Sequence, residues 1–384
     1  MRIAIMGIRG IPANYGGFET CAENLGERLV KRGHEVTVYG RSNNIKTREK
    51  TYKGINLKIL PTISNKYLDT FAHTLISVLH STFQKYDVIL ICNAANAVFS
   101  WIPRLFGKKV VLNVDGIERH RKKWNKIAKI YYLVSEWLST FMPNVVLTDA
   151  DVIKKYYLKR YKKDSVMIPY GAEVTRSSDG ADFIKKLGLE PEKYVLYVSR
   201  LEPENNAHVV IEAFEKVKTD FKLAIVGDAP YASSYIAQLK KTKDPRIMFL
   251  GFVFGEGYKI LQQNAYCYVQ ATEVGGTHPA LIEAMGFGNC VFANDVPEHR
   301  EVAGDAAIYF RSADDLAKKL DSLLGESEAV ESYRLKAKDI IKHNYSWEVI
   351  TDKYEQLFKS MLAKQEITYE KEAAKGLPSN KLTD

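Results

Sequence analysis

Residues 266–285 read YCYVQATEVGGTHPALIEAM. An apolar run ends near Gln270, and a loop holding Gly275 and Gly276 follows. Pro279 then stands at a first helical position, where a missing N–H is harmless. This strand, glycine loop and helix form the repeating unit of a parallel α/β sheet. The amides of Gly276, Thr277 and His278 point outward at the positive end of the helix, an arrangement suited to a phosphate or diphosphate. Glu283 lies one turn in on the face of Pro279, placed to accept hydrogen bonds from sugar hydroxyls. On spacing alone, an ordinary corner with a solvated Glu283 accounts for the same residues.

Working outward, the pattern recurs. Strands are expected at 194–199, 222–227, 247–251 and 290–293, separated by helical stretches. Ser199-Arg200-Leu201-Glu202-Pro203-Glu204-Asn205-Asn206 follows the first of these. Arg200 offers planar paired donors that match a diphosphate, unless it serves Glu202 or Glu204 as a surface ion-pair partner. Gly227 ends the next strand, where backbone must come close to something.

An earlier series of strands is expected at 2–6, 34–39, 56–59, 87–92, 109–113 and 144–148. The first opens into GIRGIPANYGGFE, residues 7–19. Its spacing is not that of a tight dinucleotide turn, but Gly16 and Gly17 can line a cleft ahead of a helix with apolar Phe18, Ala22, Leu25 and Leu29. Two doubly wound lobes facing a cleft follow, spanning 1–172 and 173–343, with a linker at 173–182. A final helix at 344–362 carries the stripe Trp347, Ile350, Tyr354, Leu357, Phe358 and Met361. The polar stretch 363–384 reads as a loose tail.

The 384 residues, 46% apolar and 26% charged, suit two soluble domains and exclude whole-chain disorder. Four scattered cysteines form no CxxC pair, which argues against a disulfide framework and fits a reducing cytosol. The opening apolar run is too short and too broken by glycine for a secretion signal, and no stretch is long enough to span a bilayer. Net charge is +9 but uneven, +15 over residues 1–170 and −6 over the rest. Such a basic half can meet nucleic acid, anionic lipid or a phosphorylated substrate. No nucleic-acid module signature accompanies it.

The set IPYG (168–171), SRLEPENN, VGD, LGFV and GGTHPALIEAM resembles glycosyltransferase family 4, with its GT-B fold. The pairing of GIRGIPANYGGFET with RLEPENN and VGGTHPALIEAM is similar to the subgroup of bacterial β-1,4-rhamnosyltransferases. The resemblance runs from residue 1 to about 362. It implies retaining transfer from a nucleotide-diphosphate sugar, best matched by dTDP-L-rhamnose with UDP-hexoses as the alternative. It implies no metal and no cofactor, a donor on the second lobe and a lipid-linked saccharide acceptor on the first. The site implied is Arg200 for phosphate, Glu283 for the ribose, and Gly16, Gly17, Arg9, Asn205, Gly227, Gly275, Gly276, Thr277 and His278 around the donor.

Three positions depart from the family pattern. The first glutamate of its Glu-x7-Glu motif falls on Gly275, with Glu273 two residues earlier as the candidate substitute. Its usual phosphate-binding lysine falls on Asn205. A cleft histidine falls near Asp115, a candidate to orient the acceptor, touch the donor sugar or act as a base. These departures also allow a nucleotide-sugar-binding protein without turnover.

The segment 118–143 combines Arg119, Arg121, Lys122, Lys123, Lys126 and Lys129 with Trp124, Ile127, Tyr131, Leu133, Trp137 and Phe141. A second basic run, 154–163, is interleaved with tyrosines. Such helices can lie on an anionic inner leaflet, giving a cytoplasmic, peripherally membrane-associated protein; a solvated face over a core stripe is the simpler alternative. Asp149-Ala150-Asp151 spells a metal signature of another glycosyltransferase fold, but its position at a helix start is that of capping, solvated acids.

Overall fold

The structure, a computed structural model, describes residues 1–13, 16–65, 68–120, 124–176, 179–229, 232–273 and 275–363. The first lobe contains β1 (Arg2–Met6), β2 (Glu35–Arg41), β3 (Thr51–Tyr52), β4 (Ile55–Leu60), β5 (Val88–Cys92), β6 (Lys109–Asn113), β7 (Val145–Thr148) and β8 (Val166–Met167). The second contains β9 (Tyr194–Val198), β10 (Lys222–Val226), β11 (Ile247–Gly251), β12 (Cys267–Gln270), β13 (Cys290–Asn294) and β14 (Ala307–Phe310). The sheet orders are β3-β4-β2-β1-β5-β6-β7-β8 and β11-β10-β9-β12-β13-β14. The pairing is parallel apart from β3 with β4. Helices cover both faces, so β1, β5 and β12 are continuous apolar runs rather than alternating ones. The sequence reading lacks β3, β8 and β14; the first two are only two residues long.

Strand order reverses between β1 and β5 in the first sheet and between β9 and β12 in the second. Ligands of open α/β sheets bind beyond the carboxyl ends of strands at such reversals. The Arg200 loop follows β9 and the GGTHP loop follows β12, so the two most informative motifs flank one crevice.

The helix Gly17–Lys31 buries Cys21, Ala22, Leu25 and Leu29 at helical spacing. It stops before Gly33, whose φ of +82° a β-carbon would resist. The chain crosses between lobes twice. The two crossings are bonded to each other, with the Ala172 amide donating to the Tyr345 carbonyl at 2.8 Å and Ala172 bridging Ser346 in parallel.

After the second crossing, the helix Trp347–Ala363 returns to the first lobe. All six residues of its expected stripe are buried. Arg28 and Arg32 reach Glu348 at 3.0 and 2.9 Å, and Arg32 also holds Asp352 and Glu355. One apolar cluster runs through both lobes, from Ile3 and Leu25 past Tyr170 and Trp347 to Leu196 and Leu281. The part of the expected tail beyond Ala363 lies outside the described residues.

Candidate active site

The Arg200 loop is built around one carbonyl. Oxygen of Arg200 accepts from the Glu202 amide at 2.7 Å, the Asn205 side chain at 2.6 Å and the Ser199 hydroxyl at 2.9 Å. These bonds fix the backbone that carries the guanidinium. They also place Asn205: its amide fastens the loop, and it is buried. Arg200 does not pair with Glu204, because both Glu204 carboxylate oxygens are buried without a hydrogen-bond partner.

Asn206, which the sequence reading passes over, has φ +58° and donates to Ala271 O and Glu273 Oε1, both at 3.0 Å. The Glu273 amide donates to Glu204 O at 3.0 Å. The loops after β9 and β12 are therefore tied together, and the exposed carboxylate of Glu273 is held at their seam.

Glu283 sits in the helix Pro279–Gly286, and its Oε2 accepts from the Tyr258 hydroxyl at 2.6 Å. Gln262 donates to the same hydroxyl at 3.0 Å. Burial raises the Glu283 carboxyl to about 7, against the opposing pull of the Tyr258 bond. It is not the solvated acid of the simpler reading. Tyr258 is 25 residues away in sequence, so spacing gave no signal of it.

Gly227 meets the chain's own backbone. A β-carbon there would stand 1.8 Å from Ser199 O, so the chain's own backbone, not a ligand, requires the glycine. At Gly275 a β-carbon would strike the His278 ring at 2.5 Å. His278 has φ +48°, and its ring meets His299 edge-on at 4.7 Å. His299 is fully buried, and its ring is lowered to about 4 by burial, so it is neutral. Among the described residues no three His, Cys, Asp or Glu side chains converge as a metal cluster.

The first lobe presses directly on the GGTHP loop. β-Carbons at Gly17 and Gly116 would stand 2.7 Å from the Pro279 ring and 3.1 Å from the Gly275 Cα. Gly17 thus makes room for the partner lobe, and Gly16 is the extended N-cap of its helix. The Arg9 amide donates to buried Glu19 at 2.8 Å, which anchors the loop after β1. Asn14 and Tyr15 lie outside the described residues.

Thr277 is engaged by Asp149: its amide donates to Asp149 Oδ2 at 2.9 Å and its hydroxyl to the Asp149 carbonyl. The expected solvated cap at Asp149 is therefore wrong. The side chain is buried at the lobe interface, and burial together with the charge of Asp115 pushes its carboxyl well above the usual range. Asp115, at φ +53°, thus lies within electrostatic reach of the GGTHP loop. Asp151 behaves as expected, heading its helix and pairing with Lys155.

The basic segment divides. Arg119 turns inward to buried Glu136 at 3.2 Å and to the Tyr156 hydroxyl at 2.9 Å. Trp124 donates to Glu118 and packs on Tyr132. Neither faces outward as expected; Lys126 is exposed, and Arg121, Lys122 and Lys123 lie outside the described residues. The helix Lys126–Ser139 is inverted: Ser135, Glu136 and Ser139 are buried, whereas Ile127 is 79% and Trp137 55% exposed. The helix Asp69–Thr82 likewise buries His73, Thr74, Ser77 and Ser81 while exposing Phe71 and Leu79. Leu105 and Phe106 are exposed beside them, and Arg104 binds the Phe141 carbonyl at 3.0 Å.

Comparison with known proteins agrees with this architecture. Residues 180–347 match the family described as Glycosyl transferases group 1, and residues 1–173 match a domain of unknown function, DUF1972. The chain is 24% identical to the uncharacterized glycosyltransferase MJ1607 of Methanocaldococcus jannaschii, over 94% of this chain and 98% of the relative. It is 30% identical to the O-antigen chain mannosyltransferase RfbU of Salmonella typhimurium, over 49% of this chain and 53% of that protein. It is 23% identical to the N-acetylgalactosamine-N,N'-diacetylbacillosaminyl-diphospho-undecaprenol 4-alpha-N-acetylgalactosaminyltransferase of Campylobacter jejuni, over 52% of this chain and 58% of the relative. In three dimensions it is similar to Anabaena Alr3699/HepE in complex with UDP and glucose. The TM-score is 0.75 at 17% identity, over 94% of this chain and all of the other. Residues 180–347 thus resemble the Glycosyl transferases group 1 family, and the chain as a whole has the GT-B fold.

Proposed function

We propose that the chain is a retaining glycosyltransferase of LPS- or O-antigen-type glycan synthesis, acting without a metal. The carrying observation is that the Arg200 loop after β9 and the loop leading into the Pro279–Gly286 helix after β12 flank one strand-order reversal and are tied together by Asn206. The donor is a nucleotide-diphosphate sugar, with dTDP-L-rhamnose first on the subgroup resemblance, and the acceptor is a lipid-diphosphate-linked saccharide. The name of the Campylobacter jejuni relative supports that acceptor class, and the name of RfbU supports the O-antigen setting.

In this reading the bond from the anomeric carbon to phosphate breaks while the acceptor hydroxyl attacks from the same face. The hydroxyl proton passes to the departing phosphate oxygen, so configuration is retained. Arg200 and the helix dipole stabilise the charge developing on the diphosphate. Asp115 orients the acceptor from the first lobe, and Glu273 meets the sugar. A thermal-shift panel of nucleotide sugars tests the assignment, because selective binding raises the melting temperature by mass action. A panel in which no nucleotide sugar shifts melting would overturn it.

Glu283 adds a pH signature. Only its ionised form accepts two ribose hydroxyls, so donor affinity should rise as pH increases through about 7. Titration calorimetry from pH 5.5 to 8.5 checks this, and Glu283→Gln should flatten the profile.

The inverted helices fit docking on the inner leaflet with an apolar centre and a cationic rim containing Lys126 and Lys129. Full burial of one large apolar side chain is worth about 1.5–3 kcal/mol. Replacing Ile127, Ile130 and Trp137 by serine should thus weaken vesicle binding by about a thousandfold or more. Binding by the native chain should persist at high salt. Cosedimentation abolished by salt, or unchanged in the variant, would count against insertion.

A further inference from the structure

Asp149 and Glu301 exchange roles across the cleft. From the first lobe, Asp149 caps the amide of Thr277 just ahead of the Pro279–Gly286 helix. From the second lobe, Glu301 accepts from the amides of Asp151 at 2.6 Å and Val152 at 3.1 Å, the first turn of the helix Asp151–Tyr161. Each lobe therefore places one carboxylate on the positive end of a helix in the other.

The two caps are not equally well made. Both oxygens of Glu301 are bonded. Asp149 uses one, while its Oδ1 is buried without a hydrogen-bond partner. A β-carbon at Gly276 would stand 2.2 Å from the Asp149 carboxylate, so only glycine admits it. A carboxyl group with one oxygen unmatched by any donor and a second acid, Asp115, beside it is an easily displaced cap.

We propose that Asp149 is an internal competitor for the donor's diphosphate and sets donor affinity from the opposite lobe. This rests on the donor reading above, which gives the Thr277 amide to a phosphate. With more acceptor oxygens and more charge, a diphosphate takes that amide and the helix dipole, and Asp149 swings away. Glu301 keeps its two bonds and holds the lobes in register through the exchange. In this role the buried acid raises the threshold for donor capture, and Gly276 serves Asp149 and the phosphate in turn.

The test is calorimetric titration of UDP and dTDP into the full chain and its Asp149→Asn, Asp149→Ala and Glu301→Ala variants. Thermal melts run in parallel. Asn is isosteric, so it carries the test if the alanine variant does not fold. Asp149→Ala should bind the preferred diphosphate about tenfold more tightly than the native chain, as expected when a competing partner leaves a charge-assisted site, and Asp149→Asn, which keeps one acceptor oxygen, should tighten it by less. Glu301→Ala disturbs the same interface without uncovering Thr277 and should not tighten binding. Equal or weaker binding by a folded Asp149→Asn chain would overturn the competition and leave the donor reading standing. Equal tightening by Glu301→Ala would also overturn it, because lobe closure in general would then be the obstacle. Absence of nucleotide binding in all four chains would overturn the donor reading itself, and the competition with it.

Discussion

Replacing Arg200 with alanine is expected to lower kcat/KM for sugar transfer by about 10²–10³, the loss typical when one donor to a developing anion is removed. The fold should survive. The Arg200 side chain does not neutralise Glu204, and the loop is fastened through the Arg200 carbonyl, which alanine keeps. Lysine should recover only part of the loss, since it keeps the charge but not the paired donors. Steady-state kinetics with the preferred donor, read beside thermal melts, checks this. Full turnover in a well-folded alanine variant would remove Arg200 from the mechanism.

The second large effect is structural. Trp347→Ala is expected to destabilise the chain by about 3–5 kcal/mol, the range for deleting a buried aromatic side chain. The ring is 4% exposed and packs so closely on Gly171 that a β-carbon there would lie 2.5 Å from it. Arg28 stands 6.0 Å from the ring centroid. The ion pairs of Arg28 and Arg32 along the same helix are more numerous but more exposed; Glu348 and Asp352 are 68% and 58% exposed. Exposed pairs contribute about 0–1 kcal/mol each, so the single aromatic outweighs any one of them. Urea unfolding of Trp347→Ala and Glu348→Gln should separate the two contributions. A variant lacking the Trp that unfolds at the native midpoint would contradict this account.

The parallel lobes and the position of each glycine loop were legible because they rest on local rules. A buried parallel strand needs a continuous apolar run, and a glycine loop needs space. What filled that space was not legible. Asp149 and Thr277 are 128 residues apart, so nothing in either segment announces the other. Gly227 signalled a close approach correctly but not that the approaching group was Ser199. Asn205 occupied a family lysine position and was read as a ligand, whereas its short side chain turns back to the nearest carbonyl.

The helix Lys126–Ser139 fails differently. Periodicity identifies an apolar stripe but not the direction it faces. The polar stripe could be buried because distant residues satisfy it: Tyr156 and Tyr161 donate to Glu136 at 2.9 and 3.0 Å, joined by Arg119. That partnership depends on the packing of the helix Asp151–Tyr161 and has no trace in the 126–139 segment itself.

The bond between Ala172 and Tyr345 has a mechanical consequence. A single peptide connection would leave the lobes free to swivel about its dihedrals. Two connections stitched side by side act as a book spine, which permits opening about one axis and resists twist. Any opening between the lobes is thereby guided back to the same facing residues.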